Sequence, residues 1–456
     1  MFALLHHING ILWGLPLILL LLGTHLFFTI YLKGVQRHTL SAIRYSFVSE
    51  NGGKNNGFTT LASMLAATLG TGNIIGISTA VATGGPGAIF WCLVTGFLGM
   101  ATSYAECYLS LLYRIRIPIV YKQKDSDGNT TSTGSFFFQG GPMYVLSAIG
   151  RKKAAAFYSI AIIFTSFGVG VTTQINAVSS TLLEFYQVPP WIPGIIGSLL
   201  AALVIIKGRK GIQKVCTGLV PAMSLFYLAG CCYLLYCNRG YCQEAIALIW
   251  EKAFTLRAAG GGFLGGSLMI AMRYGIARGL FTSEAGLGSS AIAAASATTN
   301  NLTRQSLISM TASFWDTIVI CTLTGLVIVT TLLSHPEGLA SSPGSLTIFA
   351  FSSIPGIGVP MLAISLCAFA LATIIGWYAF GEQAVRFLRP DSPAAVGTYQ
   401  FFYLLMAFAG AILSLEAVWE LADFFNALLV LPNIYSLFLL RKSIRLPGEK
   451  AEVSCK

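Results

Sequence analysis

Apolar runs of about 20 residues recur along the whole chain, at about 12–32, 58–81, 88–112, 155–180, 191–206, 215–237, 261–282, 306–333, 358–381, 398–415 and 419–440. Most are long enough to carry a helix across the roughly 30 Å of a bilayer's hydrocarbon. A soluble chain of 456 residues would divide into about three domains. This pattern instead predicts an all-α integral membrane protein of about 11 transmembrane helices, forming one domain. The first run follows no basic residues and precedes no small-residue cleavage site, so it reads as a retained span rather than a signal peptide.

The second run is interrupted in its middle by Gly70-Thr71-Gly72-Asn73-Ile74-Ile75-Gly76. Each interior glycine costs a helix about 1 kcal/mol relative to alanine, and hydrocarbon supplies no water for the backbone groups that a break frees. Such a break is expected to line a site. With the first span set aside, ten remain, in two groups of five (58–237 and 261–440) that enter the membrane from opposite sides. The leading span of the second group carries Arg273-Tyr274-Gly275-Ile276-Ala277-Arg278-Gly279, also glycine-interrupted and charged. Interruptions at matching positions of an inverted repeat point to a transporter's binding site, although glycines also let membrane helices pack closely.

Only 10% of residues are charged, against about 25% in a soluble domain. The net charge of +11 raises the question of a nucleic-acid partner, and its distribution answers it. With the N-terminus outside, the basic residues concentrate in inside segments, and only Arg239, Lys252 and Arg257 fall in outside ones. The reading is therefore N-out and C-in, with 441–456 as a short inner tail, a lipid bilayer as surroundings and no nucleic acid. Most cysteines fall within spans; Cys237 and Cys242, beside an outside loop, are a candidate disulfide. No CxxC pair suggests zinc, and His6-His7 reads as a headgroup contact rather than a metal site.

Freed N–H groups at Gly72 to Gly76 would attract a carboxylate, and unpaired carbonyls around Ala66 and Leu69 suit a small hard cation. A zwitterion beside a cation satisfies both. Asn73, Thr79 and Gln174 add polar side chains that would otherwise bond neighbouring helices. Glu106 and Glu382 are expected to be paired; Asp316 could assist a cation or proton, or neutralise Arg273 or Arg278. No nucleophile with a nearby base, metal cluster or phosphate loop is present, so an enzyme is not expected. A non-transporting amino-acid sensor is the other reading, disfavoured because no large soluble region accompanies the spans.

Several ordered motifs resemble the alanine or glycine:cation symporters of the amino acid-polyamine-cation superfamily. They are Gly70 to Gly76, Gly84-Gly85-Pro86-Gly87-Ala88-Ile89-Phe90-Trp91, Gly99-Met100-Ala101-Thr102 with Ala105-Glu106, and Gly140-Gly141-Pro142-Met143-Tyr144. Ala277-Arg278-Gly279-Leu280-Phe281, Ser283-Glu284-Ala285-Gly286-Leu287-Gly288-Ser289, Asp316-Thr317 and Thr373-Ile374-Ile375-Gly376-Trp377 continue the match. The resemblance implies one extra N-terminal helix plus a five-plus-five inverted repeat with broken first helices. It implies uptake of alanine or glycine, with D-alanine a further candidate, driven by sodium, with no other cofactor and no obligate protein partner. The compartment implied is a plasma membrane, that of a bacterial inner membrane. By the same resemblance Asn73, Gly76, Thr79, Gln174, Tyr274, Gly275 and Trp377 would hold the substrate, and Ala66, Leu69 and Thr373 the sodium ion. The chain departs from the family where Ala372 replaces a usual serine beside the ion, which leaves proton coupling as the alternative. Ser283, Ala291 and Ala294 also replace a usual Asn, Pro and His. Lys122 to Phe138 reads as a polar connecting loop.

Overall fold

The computed structural model describes residues 7–10, 12–48, 56–124, 130–255, 268–390 and 392–447. His6, the start of the 261–282 run and most of the 441–456 tail lie outside the described residues.

Among the described residues the apolar runs are largely helix, and two of the resulting helix pairs are sharply bent. Helix α1 (Leu15–Tyr31) opens with proline in its first turn and bends 66° into the segment that ends with α2 (Thr39–Phe47). Helices α3 (Asn56–Thr68) and α4 (Ile75–Gly84) are one run bent by 65° about the short turn Thr71–Asn73. Helix α5 (Gly87–Leu112) is continuous. After a hairpin, α6 (Pro142–Ala148) leads into α7 (Lys152–Thr165) and α8 (Thr173–Tyr186), joined through a π-helical stretch, Ser166–Thr172. Then come α9 (Trp191–Ile205), α10 (Gly208–Cys237), α11 (Cys242–Phe254), α12 (Leu268–Ser283) and the short α13 (Ser289–Ala295). Helices α14 (Leu302–Ser313) and α15 (Thr322–Ser334) are again joined by a π-helical stretch, Phe314–Cys321. The chain closes with α16 (Leu346–Ser352), α17 (Gly358–Leu388), α18 (Pro393–Ile412) and α19 (Leu415–Leu439).

Among the described residues, seven helical runs are long and apolar enough to cross a membrane, or nine if each bent pair is one span. Apolar Trp191–Ile205 is shorter. Large apolar side chains cover the outside of the bundle, among them Ile30, Leu199, Leu203 and Phe401, the arrangement expected when the solvent is lipid. The interior instead gathers small and polar side chains, including Thr71, Asn73, Gln174, Asp316 and Thr373.

Two sequence expectations change here. Of the Lys122 to Phe138 region, residues 122–124 and 130–138 are strand rather than loop. Strand β1 (Ile115–Lys124) pairs antiparallel with β2 (Thr130–Gln139), in a register that sets Ile115 against Gln139 and Lys124 against Thr130. Its polar middle hid the β-forming ends, where the guanidinium of Arg114 lies 3.8 Å over the Phe138 ring, Arg116 lies 3.4 Å over Phe136 and Arg209 lies 4.0 Å over Phe137. Cys237 and Cys242 do not form a disulfide. The Cys242 thiol instead faces the carbonyls of Leu235 and Asn238 at the end of α10, each at 3.8 Å.

Candidate functional site

The turn between α3 and α4 is where the chain abandons helix, and its freed groups are taken up by other helices. Continuing the helix would send the N–H groups of Gly70, Thr71 and Asn73 to the carbonyls of Ala66, Ala67 and Leu69. Instead the Gly70 N–H donates to Thr68 O at 3.0 Å and to Asn73 Oδ1 at 3.1 Å, and the Asn73 N–H donates to Gly70 O at 3.3 Å. The Thr71 N–H and hydroxyl both donate to Gln174 Oε1, at 2.9 and 3.1 Å. Gln174 is oriented in turn by donating to Val169 O at 3.1 Å within the π-helical stretch. Thr373 of α17 donates its hydroxyl to Leu69 O at 3.1 Å. The α3 carbonyl end, facing a threonine hydroxyl, is an all-oxygen surface of the kind a hard cation takes. Gly70 admits this convergence: a Cβ there would lie 2.9 Å from Gln174 Oε1 and 3.0 Å from Thr373 Oγ1.

Asn73 is wholly buried and spends its amide within the protein. Its Nδ2 donates to Asp316 Oδ1 at 2.5 Å, and Thr317 donates its hydroxyl to Asp316 Oδ2 at 2.6 Å. Asp316 therefore does not neutralise Arg273 or Arg278, one of the roles open to it in the sequence. Glu382 is paired, with Arg386 at 2.7 Å. Glu106 accepts hydrogen bonds from the Gly286 N–H at 2.8 Å and from Asn433 at 2.6 Å rather than meeting a basic side chain. Trp377 is fully buried, packs its Cβ against Gly170 and its ring against Phe380, and brings its indole N–H near Glu284 without closing a hydrogen bond.

The second interruption is displaced from where the glycines placed it. Helix α12 runs unbroken through Arg273–Gly279 and gives way only at Ser283, where Glu284, Gly286 and Gly288 take positive φ before α13 begins. The glycines of α12 serve close packing instead. A Cβ on Gly275 would come within 2.3 Å of Ala88 O on α5, so this residue is sealed in a helix contact and does not face the turn. Tyr274 is 37% exposed and lies against Gly84, about 12 Å along α4 from Gly76 by helical rise. What α12 does present to the turn is Phe281 and Thr282, both against Gly72. It also presents Arg278, whose side chain packs on Gly76 and lies 4.6 Å over the Trp419 ring. Sequence reasoning had left these three out of the site; the unbroken helical spacing of Arg278, Phe281 and Thr282 was the available signal.

A cavity borders each half of the bent run. One, of about 480 Å³, is lined by Ile75 and Thr79 of α4 with Thr181, Arg278, Ser345 and Trp419. The other, of about 80 Å³, is lined by Ser63 of α3 with Arg209, Gly376, Glu382 and Gln383. No group of three or more potential metal-binding His, Cys, Asp or Glu side chains occurs among the described residues.

A helical membrane protein with a bent central run, backbone groups spent on other helices and a cavity beside each half has the form of a membrane transporter. Residues 1–446 match the model of the sodium:alanine symporter family, and the chain belongs to that family. It is similar to the sodium/alanine symporter AgcS of Methanococcus maripaludis, with 38% identity over 450 residues, 96% of this chain and 94% of that one. It is also similar to the probable sodium/glutamine symporter GlnT of Bacillus subtilis, with 32% identity over 452 residues, 97% and 89% of the two chains. Among solved structures, a sodium-coupled sialic acid symporter in a substrate-bound outward-open state shares the fold at TM-score 0.58 and 11% identity, over 95% of this chain and 99% of that one. The protein is thus a multi-pass membrane transporter of a sodium-coupled amino acid symporter family, and not an enzyme.

Proposed function

We propose that this protein imports a small neutral amino acid, alanine or glycine, together with sodium by alternating access. The observation that carries the reading is the turn at Gly70–Asn73. There an α3 carbonyl end faces Thr373, and Asn73 and Gln174 take up the N–H groups of the departing backbone. The sodium ion belongs at the Ala66 and Leu69 carbonyls with the Thr373 hydroxyl, and the amino acid beside it against the turn. Arg278, Phe281 and Thr282 take the place that the resemblance gave to Tyr274 and Gly275. The names of the relatives differ in amino acid, alanine for one and glutamine for the other, and bulky Trp377 and Phe281 favour the smaller one here.

In this reading eleven spans, N-out and C-in, form one extra helix and two inverted five-helix halves in a bacterial inner membrane. The cavity lined by Thr79 and Arg278 then opens outward and the one lined by Ser63 and Arg209 inward. Filling the carbonyl end with a cation relieves the repulsion among its oxygens, so ion and amino acid raise each other's affinity reciprocally. The test is uptake of labelled alanine into proteoliposomes under an inward sodium gradient, an inward proton gradient, or neither. Accumulation with sodium alone supports the proposal. Accumulation with protons alone changes the ion, and no uptake of any small amino acid rejects transport of this class.

A further inference from the structure

Helix α2 leaves α1 through a bend of 66°, at Lys33 and Gly34, whose left-handed φ of 53° and 66° make a fixed elbow. With α1 crossing the bilayer, α2 runs nearer the membrane plane than its normal. Its Ala42 and Ser46 are buried against the protein, whereas Leu40 is 81% exposed and Phe47 63%. Leu40, Arg44 and Phe47 follow at intervals of four and three, so two large apolar side chains and a guanidinium share one uncovered face. A helix of this kind rests in the headgroup boundary, its apolar groups among acyl chains and its cations at phosphates.

The charge around it has one sign. Neither residues 31–48 nor residues 440–447 include an aspartate or glutamate. These two stretches meet: Tyr31 donates its hydroxyl to Arg441 O at 3.2 Å, the Phe27 ring lies 4.9 Å from that of Phe438, and Leu32 and Val35 share a buried cluster with Leu437 and Ile444. Exposed Lys33, Arg37 and Arg44 are thereby joined by Lys442, and among the described residues none of the four has a carboxylate within 4.0 Å. Arg37 is oriented at the elbow by donating its Nε to His38 Nε2 at 3.3 Å. Helix α2 is also fastened beneath. Arg304, at the start of α14, donates to Tyr45 O at 3.3 Å and Val48 O at 2.6 Å, and the Phe47 ring lies 5.5 Å from Phe58 of α3.

We propose that the α1–α2 elbow binds an anionic phospholipid, with its phosphate held by Lys33, Arg37, Arg44 and Lys442 and its acyl chains along Leu40 and Phe47. This follows the orientation proposed above, in which the face is inner and meets a negatively charged leaflet. A lipid seated there bears on the starts of α3 and α14, whose far ends lead to the turn and to the stretch that carries Asp316 against it.

The test is native mass spectrometry of the purified full chain in detergent, without amino acid, titrated with phosphatidylglycerol or with phosphatidylcholine of the same chains. Wild-type protein is expected to bind the first phosphatidylglycerol about 10-fold more tightly than phosphatidylcholine. Arg37→Gln/Arg44→Gln is expected to weaken phosphatidylglycerol binding about 25-fold. Arg44→Gln alone, the reporter should the double variant not elute as one folded species, is expected to weaken it about 5-fold. Lys152→Gln/Lys153→Gln removes the same charge from the start of α7 and is expected to change it by less than about 2-fold. Equal affinity for the two lipids, or an equal loss in the α7 variant, overturns the proposal. So does displacement of phosphatidylglycerol by equimolar glycerol 3-phosphate, which would make the ligand a free phosphate. Each of these results leaves the transport reading standing, and an absence of alanine uptake leaves the lipid site standing.

Discussion

The two interruptions of the helical chain, Thr71–Asn73 and Glu284–Gly288, break helix by opposite means. The first reaches no positive φ at its flanking residues: Gly70 is at −120° and Ile74 at −104°. It is held open from outside, by Gln174, Asp316 and Thr373, which belong to three other parts of the fold. The second is made by backbone conformation, with φ of 53° at Glu284, 92° at Gly286 and 76° at Gly288, and is fastened by Glu106 and Asn433. A turn held by side chains from several helices senses how those helices are arranged. A turn set by its own dihedrals is a fixed corner. The first is therefore the better place for a site whose occupancy must report on, and respond to, movement of the bundle.

Substitutions can break this contrast. Asn73→Ala removes the amide that closes the first turn onto Gly70 and reaches Asp316, and is expected to lower alanine uptake by about 100-fold while the protein remains folded. Uptake normalised to protein recovered in the membrane checks it. Gly70→Ala places a methyl against Gln174 and Thr373 and is expected to reduce uptake about 10-fold by prying the turn from both partners. Asn433→Ala acts on the other corner. It leaves Glu106 short of a donor, so the expected effect is about 1–3 kcal/mol of stability, seen as a lower melting temperature with alanine affinity nearly unchanged. Tyr274→Ala, remote from both turns, is expected to leave the KM for alanine within about 2-fold. A large rise in KM would return Tyr274 to the site and undo the contrast.

The helical runs were legible because lipid demands long apolar segments, and the first break because three glycines and an asparagine inside such a segment oppose helix without compensation. The second was misplaced for a physical reason. Gly275 and Gly279 are spent on close approach to Ala88 and Cys92, so they read like a break while the helix passes through them intact. The true corner at Glu284–Gly288 lies just past the glycine-rich stretch. The cost of Asp316 in a membrane was visible in the sequence, but its partner Asn73 is 243 positions away, and nothing local announces the pairing. Arg278 was visible as a charge in a span; that it rests on Gly76 and Trp419 follows only from the crossing of α12 with α4 and α19. The hairpin was hidden because Lys122 to Thr133 is polar while the residues that make it a hairpin lie at its two ends.

The most direct measurement is calorimetric titration of alanine into the purified wild-type protein and the Thr373→Val variant at a series of sodium concentrations. If the first turn holds both ligands, wild-type affinity for alanine rises steeply with sodium, and Thr373→Val binds alanine weakly with a much flatter sodium dependence. Alanine affinity that does not depend on sodium in the wild type, or a dependence that Thr373→Val leaves intact, contradicts the account.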